Sequence, residues 1–162
     1  MPGELFVHRS IANLVSADDA SVMSALQYAL EVLKVEHVIV CGHEACGGVR
    51  ASLLPPEGDE SAADNYLARH IRPLRDLYRR RSNEVNQGIA DSSLEDALMA
   101  RTNRLVALNV SAQVHAMATM PLVRGAWQRG QLLTLHGWVY GLSVGRLRPL
   151  LTIDAEAVAR AA

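Results

Sequence analysis

The stretch His37-Val38-Ile39-Val40-Cys41-Gly42-His43-Glu44-Ala45-Cys46-Gly47-Gly48 joins an unbroken apolar run to a glycine-rich turn. Val38, Ile39 and Val40 are β-branched, and a short continuous run of this kind predicts a strand in a parallel sheet covered on both faces. Gly42, Gly47 and Gly48 free the backbone to turn tightly and to approach a ligand closely. Sites in open parallel sheets assemble at the carboxyl ends of strands, so the turn from Gly42 to Gly48 is the first place to look for chemistry.

Upstream, Leu5, Phe6 and Val7 predict a short strand over Glu4 to His8. Ser16 and Asp19 fit a capping box ahead of a helix from about Asp18 to Lys34, with Val22, Leu26, Ala29, Leu30 and Leu33 at helical spacing. Strand, helix and strand then make a right-handed βαβ unit, and the class is α/β. Downstream, Pro55 to Glu60 reads as an exposed loop. Asn65 to Arg81 reads as an amphipathic helix with a kink at Pro73, and Asn83 to Ser93 as a polar turn. A long helix follows from about Leu94 to Thr119, and Pro121 restarts a short one carrying Trp127. Leu132 to Tyr140 is a strand interrupted by Gly137, and Leu150 to Ile153 an edge strand before an alanine-rich tail. No repeat or domain boundary interrupts residues 1–162, which read as one domain; at 162 residues the chain is long enough for a real core.

Sixteen basic against seventeen acidic residues give a formal charge of -1, so no global field recruits nucleic acid or a membrane surface. Arg69, Arg72, Arg75 and Arg79 to Arg81 flank an apolar stripe beside an acidic stretch and read as a solvated helix face. The start of the chain has neither a basic head nor an apolar core segment, and the expected location is cytoplasmic. In a reducing compartment Cys41 and Cys46 read better as a ligand or buried thiols than as a disulfide.

His43 and Cys46 place an imidazole and a potential thiolate on one loop, and zinc takes both. The pair alone is common by chance; its position after a buried strand is what makes it a candidate. Cys41, ending an apolar strand, reads as a buried thiol. His8, His37, His70 and His115 read as structural or surface groups, and His136 beside Gly137 as a weaker functional candidate. The glycine turn is neither G-x-G-x-x-G nor G-x-x-x-x-G-K-[ST], and Glu44 would repel a phosphate.

Taken together, four segments resemble the β-class carbonic anhydrases of bacteria and fungi. They are Pro2 to Asn13, Val38 to Val49, Leu108-Asn109-Val110 with Gln113-Val114, and Ala126 to Gly130 with His136-Gly137-Trp138-Val139-Tyr140-Gly141. The resemblance implies a mostly parallel sheet flanked by helices and the reversible hydration of carbon dioxide to bicarbonate and a proton. It also implies a Zn2+ cofactor with His43 and Cys46 as two of its ligands, the metal lowering the pKa of bound water toward 7. Arg9 and Tyr140 match positions that bind bicarbonate at a second site in some bacterial members. Subunits of the family assemble as homodimers or larger homo-oligomers. The family's other ligands lie in a Cys-x-Asp-x-Arg motif on a central strand ahead of the Pro-Gly-Glu-Leu segment, and no such motif occurs in this sequence. The expectation is therefore a domain short at its N-terminus and lacking the family's first strand. A non-catalytic scaffold or interaction module with weak or no zinc binding is the alternative, and Cys41 or His136 is the residue that would have to replace a missing ligand.

Overall fold

A computed structural model describes residues 3–56, 58–59, 62–89 and 93–161. Glu57 and Glu60 of the expected loop and the centre of the 83–93 turn lie outside the described residues, as do Met1 and Pro2.

Three strands form one sheet in the order β1 (His37–His43), β2 (Thr134–Gly141), β3 (Arg146–Ile153). β1 and β2 run parallel with His37 opposite Thr134 and His43 opposite Tyr140; β2 and β3 run antiparallel with an irregularity at Gly137/Trp138. Between β1 and β2 the chain forms α2 (Gly47–Leu53), α3 (Tyr66–Arg80), α4 (Ser82–Asn86), α5 (Leu94–Thr119) and α6 (Pro121–Gln128). α1 (Ala20–Gln27) precedes β1 and α7 (Ala155–Ala161) follows β3. No single helix among the described residues is long and apolar enough to cross a membrane.

α5 is the beam on which the sheet rests, packing against all three strands. Ser93 caps it through Asp96 N–H, and Glu95 and Asp96 sit in its first turn, where the helix dipole favours acids. Its inner positions Leu105, Val106, Val110 and Val114 are fully buried against the sheet face formed by Val40, Leu135 and Val139. Two glycines make this approach close enough. A Cβ on Gly42 would lie 2.7 Å from Val110 Cγ2, and one on Gly137 would collide with Leu151 and stand 3.0 Å from Val110 Cγ1.

Four sequence expectations are corrected. Glu4 to His8 forms no strand, because β1 pairs only with β2 and no described strand lies beside the segment; Leu5, Phe6 and Val7 are exposed. The βαβ unit therefore runs from β1 through five helices to β2, not from Leu5 through α1 to β1. The sheet is covered on one face only: alternation along β1 and β2 sends Ile39, Cys41, Trp138 and Tyr140 to the other face, which no described helix covers. Cys41 is in consequence exposed, not buried. Smaller differences concern element ends. Asp19 caps α1, accepting from Ser21 and Val22 N–H, and the helix passes into a π-turn at Tyr28–Val32. α3 continues through Pro73, and β3 is longer than the Leu150–Ile153 strand expected from sequence.

Candidate functional site

His43 ends β1, and the chain turns at once into α2. The turn is held from two sides. Glu44 N–H donates to Tyr140 O at 3.0 Å, and Ala45, with φ of 54°, donates its N–H to Asn103 Oδ1 of α5 at 2.8 Å. This left-handed residue brings Cys46 beneath the loop, where it precedes α2 and is only 6% exposed.

The His43 ring has a fixed role for each nitrogen. Nδ1–H donates to Glu44 O at 2.8 Å, so Nε2 carries the lone pair. A backbone carbonyl holding the far nitrogen is the usual way a protein orients a ligating imidazole.

A third element closes the site. Ile11–Asn13 form a short turn with Ala12 and Asn13 at φ of 56° and 45°, and this turn leans on α2: a Cβ on Gly48 would stand 2.8 Å from Ile11 Cγ2. Asn109, 1% exposed, donates Nδ2–H to Ala12 O at 2.9 Å and accepts from Gln113 Nε2–H at 2.9 Å. Gln113 Oε1 accepts in turn from Val15 N–H at 2.9 Å. This chain of amides ties the Ala12–Val15 segment to α5.

The result is an open pocket of about 420 Å3 lined by Arg9, Ser10, Ile11 and Ala12 on one side and His43, Cys46, Gly47 and Gly48 on the other. Three of the four sequence-predicted site residues, Arg9, His43 and Cys46, meet there. Tyr140 does not line it; it stands beside His43 on β2, 37% exposed on the open face of the sheet. Arg9 makes no ion pair among the described residues, leaving its guanidinium free for an anion.

Sequence reading missed Asn103, which carries no local signal because its partner, Ala45, lies 58 positions away. It also missed a pair on the open sheet face, where His136 Nε2 lies 3.2 Å from His37 Nδ1 and Thr152 Oγ1 lies 3.4 Å from His136 Nδ1. Partial burial, and then the neighbouring His37, push the His136 pKa down. Partial burial also pushes the Cys41 thiol up, against a smaller opposing effect of the hydrogen bond with the Tyr140 backbone.

The comparisons with known proteins agree in one direction. The carbonic anhydrase family model matches residues 1–147. A carbonic anhydrase of Emericella nidulans is 38% identical over 148 residues, covering 91% of this chain and 59% of that protein. One of Candida albicans is 33% identical over 147 residues, covering 91% and 48%. Among solved structures, the Coccomyxa β-carbonic anhydrase in complex with acetazolamide superposes with a TM-score of 0.84 at 34% identity, covering 99% of this chain and 67% of that one. One of two tetrameric β-carbonic anhydrases of Sordaria macrospora gives 0.79 at 30% identity, covering 95% and 72%. The scaffold is thus the α/β fold of the β-carbonic anhydrases. The chain belongs to the carbonic anhydrase family, and it spans about half to three fifths of the length of the curated relatives named here.

Zinc in protein sites takes four ligands, or three and a water. His43 and Cys46 are two, and no group of three or more His, Cys, Asp or Glu side chains among the described residues is arranged to hold a metal. Cys41 lines a larger groove along β1 together with His43 and Cys46, whereas His136 lines neither cavity; neither residue completes a group of three donors with them. The donors present do not fit a complete zinc centre.

Proposed function

We propose that this chain serves the reversible hydration of carbon dioxide to bicarbonate and a proton, with Zn2+ as the metal and His43 and Cys46 as two of its ligands. The observation that carries the reading is the meeting of Arg9, His43 and Cys46 in one pocket at the carboxyl end of β1, on the scaffold of a carbonic anhydrase. Each side chain has a role it can play as placed. Nε2 of His43 is free to ligate, Cys46 is sheltered from bulk water, and Arg9 offers donors to an anionic product.

The test is stopped-flow CO2 hydration with a pH indicator, run with zinc analysis on the whole 162-residue chain and on Cys46→Ser. A rate that scales with bound zinc and disappears in Cys46→Ser supports the reading. A chain that holds one zinc and hydrates CO2 no faster than buffer overturns it.

A second reading has its own support in the two-donor site: a scaffold of the same fold that binds zinc weakly and does not turn over. It requires cooperative unfolding, less than one tightly held zinc per chain and a rate equal to buffer.

Assembly as a homodimer or larger homo-oligomer is proposed with the first reading. It is supported by the uncovered sheet face, with Ile39, Tyr140 and Leu147 exposed, and by the tetrameric relatives of Sordaria macrospora. Light scattering that gives a monomer at micromolar concentration would remove it.

A further inference from the structure

His37 opens β1 and His136 lies near the start of β2, and the parallel pairing of the two strands sets their imidazoles side by side. His136 Nε2 lies 3.2 Å from His37 Nδ1, with the ring centroids 5.2 Å apart. The His136 ring is held from two further directions. Thr152, its cross-strand partner on β3, places Oγ1 3.4 Å from His136 Nδ1, and the Trp138 ring packs on it at 5.6 Å between centroids. With Nδ1–H donating to Thr152, His136 Nε2 carries the lone pair and accepts from His37 Nδ1–H. His43 stands at the other end of β1, about 20 Å away by the rise of the strand, and neither histidine of the pair lines its pocket.

The separation of the two nitrogens is that of a metal chelate. Two metal–nitrogen bonds of about 2.0–2.1 Å, enclosing an octahedral or tetrahedral angle, hold their nitrogens about 2.9–3.4 Å apart, and 3.2 Å falls inside that range. The rings agree with it. A head-on hydrogen bond at this nitrogen separation would set the centroids about 5.5 Å apart and a chelate about 5.0 Å apart. The observed 5.2 Å lies between them, so a small rotation of the rings converts one arrangement into the other. The lowered pKa of His136 keeps its ring neutral at pH 7, the form that ligates. To ligate in its turn, His37, which is exposed, moves its proton from Nδ1 to Nε2 through water, and no net proton is released.

We propose that His37 Nδ1 and His136 Nε2 form a second metal site, a two-imidazole chelate for a late first-row divalent ion. Imidazole suits ions such as Ni2+, Cu2+ and Zn2+, and Thr152 supplies the outer hydrogen bond that fixes the tautomer and orientation of a ligating histidine. No third His, Cys, Asp or Glu among the described residues joins the pair, so water fills the remaining positions and the ion exchanges freely. The proposal does not depend on the reaction proposed above.

The probe is Ni2+, which takes imidazole readily and, unlike Cu2+, does not oxidise the two thiols. The imidazole ring signals of the 162-residue chain are followed by NMR as Ni2+ is added, since the paramagnetic ion broadens the rings it binds. The signals of His37 and His136 are expected to vanish together, before those of the other four histidines. His37→Gln is then followed through the His136 ring, and His136→Gln through the His37 ring. In each variant the remaining ring is expected to need at least about tenfold more Ni2+, the least that losing even an outer partner of a metal site typically costs.

Broadening of the remaining ring at an unchanged Ni2+ concentration overturns the proposal, since the two imidazoles would then bind independently. A wild-type chain with no saturable site tighter than about 1 mM overturns it too. Broadening of His43 ahead of the pair assigns the ion to the pocket, and chain association driven by Ni2+ in light scattering assigns it to a site between two copies; either result overturns the proposal. None of these results bears on CO2 hydration, which is read by a separate assay.

Discussion

Asn109→Ala removes the amide that holds the Ala12–Val15 segment against α5, and its cost can be worked from the contacts. Asn109 is 1% exposed, donates to Ala12 O at 2.9 Å and accepts from Gln113 Nε2–H at 2.9 Å. Ala12 is itself buried, so its carbonyl loses a partner where water does not easily replace it. An unsatisfied buried acceptor costs about 1–3 kcal/mol, and the small cavity left by the missing carboxamide adds to it. The expected loss is roughly 2–4 kcal/mol. For a domain of this size that is a fall of roughly 4–16 °C in Tm. Urea unfolding followed by circular dichroism reads it as a lower midpoint at an unchanged slope. Gln113→Ala and the double variant close a cycle, with an expected coupling of about 0.5–3 kcal/mol because the two side chains share one chain of hydrogen bonds. A midpoint within about 0.5 kcal/mol of wild type, or strict additivity with Gln113→Ala, would show that the segment is not held by this amide.

Gly42→Ala drives a methyl group to 2.7 Å from Val110 Cγ2 on rigid helix α5, and denaturant unfolding should show a loss of about 1–3 kcal/mol. His136 titrates below its unfolded value, so the unfolded chain binds more protons between the two pKa values. Stability is fully present above about pH 6.5 and falls as the pH drops below it. His136→Asn should flatten that part of the stability curve, measured by urea midpoints from pH 8 to pH 5; an unchanged slope refutes the assignment. Iodoacetamide should modify the exposed Cys41 before the buried Cys46, and faster at pH 9 than at pH 7 because burial holds the Cys41 thiol protonated; peptide mapping reads the order.

Strands β1 and β2 and helices α3, α5 and α6 were legible because each carries its own apolar pattern or cap, whereas the short helices α2, α4 and α7 fell in stretches read as a glycine turn, a polar turn and a tail. Ser93 before Leu94 and Pro121 at the head of α6 are local signals, and the structure places the helices there. The site was legible as far as one loop could make it so: His43 and Cys46 sit three positions apart on a glycine turn. What was not legible depends on partners distant in sequence. Leu5 to Val7 have the composition of a strand, yet a strand exists only beside another. Cys41 belongs to an apolar run, and whether such a run is covered on one face or two is decided by the helices packed on it. Asn103 and the His37–His136 pair are tertiary encounters with no local pattern.

The parallel pairing of β1 with β2 joins residues such as His37 and His136, 99 positions apart in the chain. At a synthesis rate of about 5–20 residues per second, β1 leaves the ribosome roughly 5–20 s before the strand that will pair with it has been made. Through that interval Val38, Ile39 and Val40 form an apolar strand without a sheet, and closing so long a loop is slow even when synthesis is complete. α5 emerges earlier than β2 and can cover Val40 first. The nascent chain therefore has an order of assembly, helix on β1 before sheet, and anything that delays α5 lengthens the time for which β1 is open to aggregation or chaperone capture.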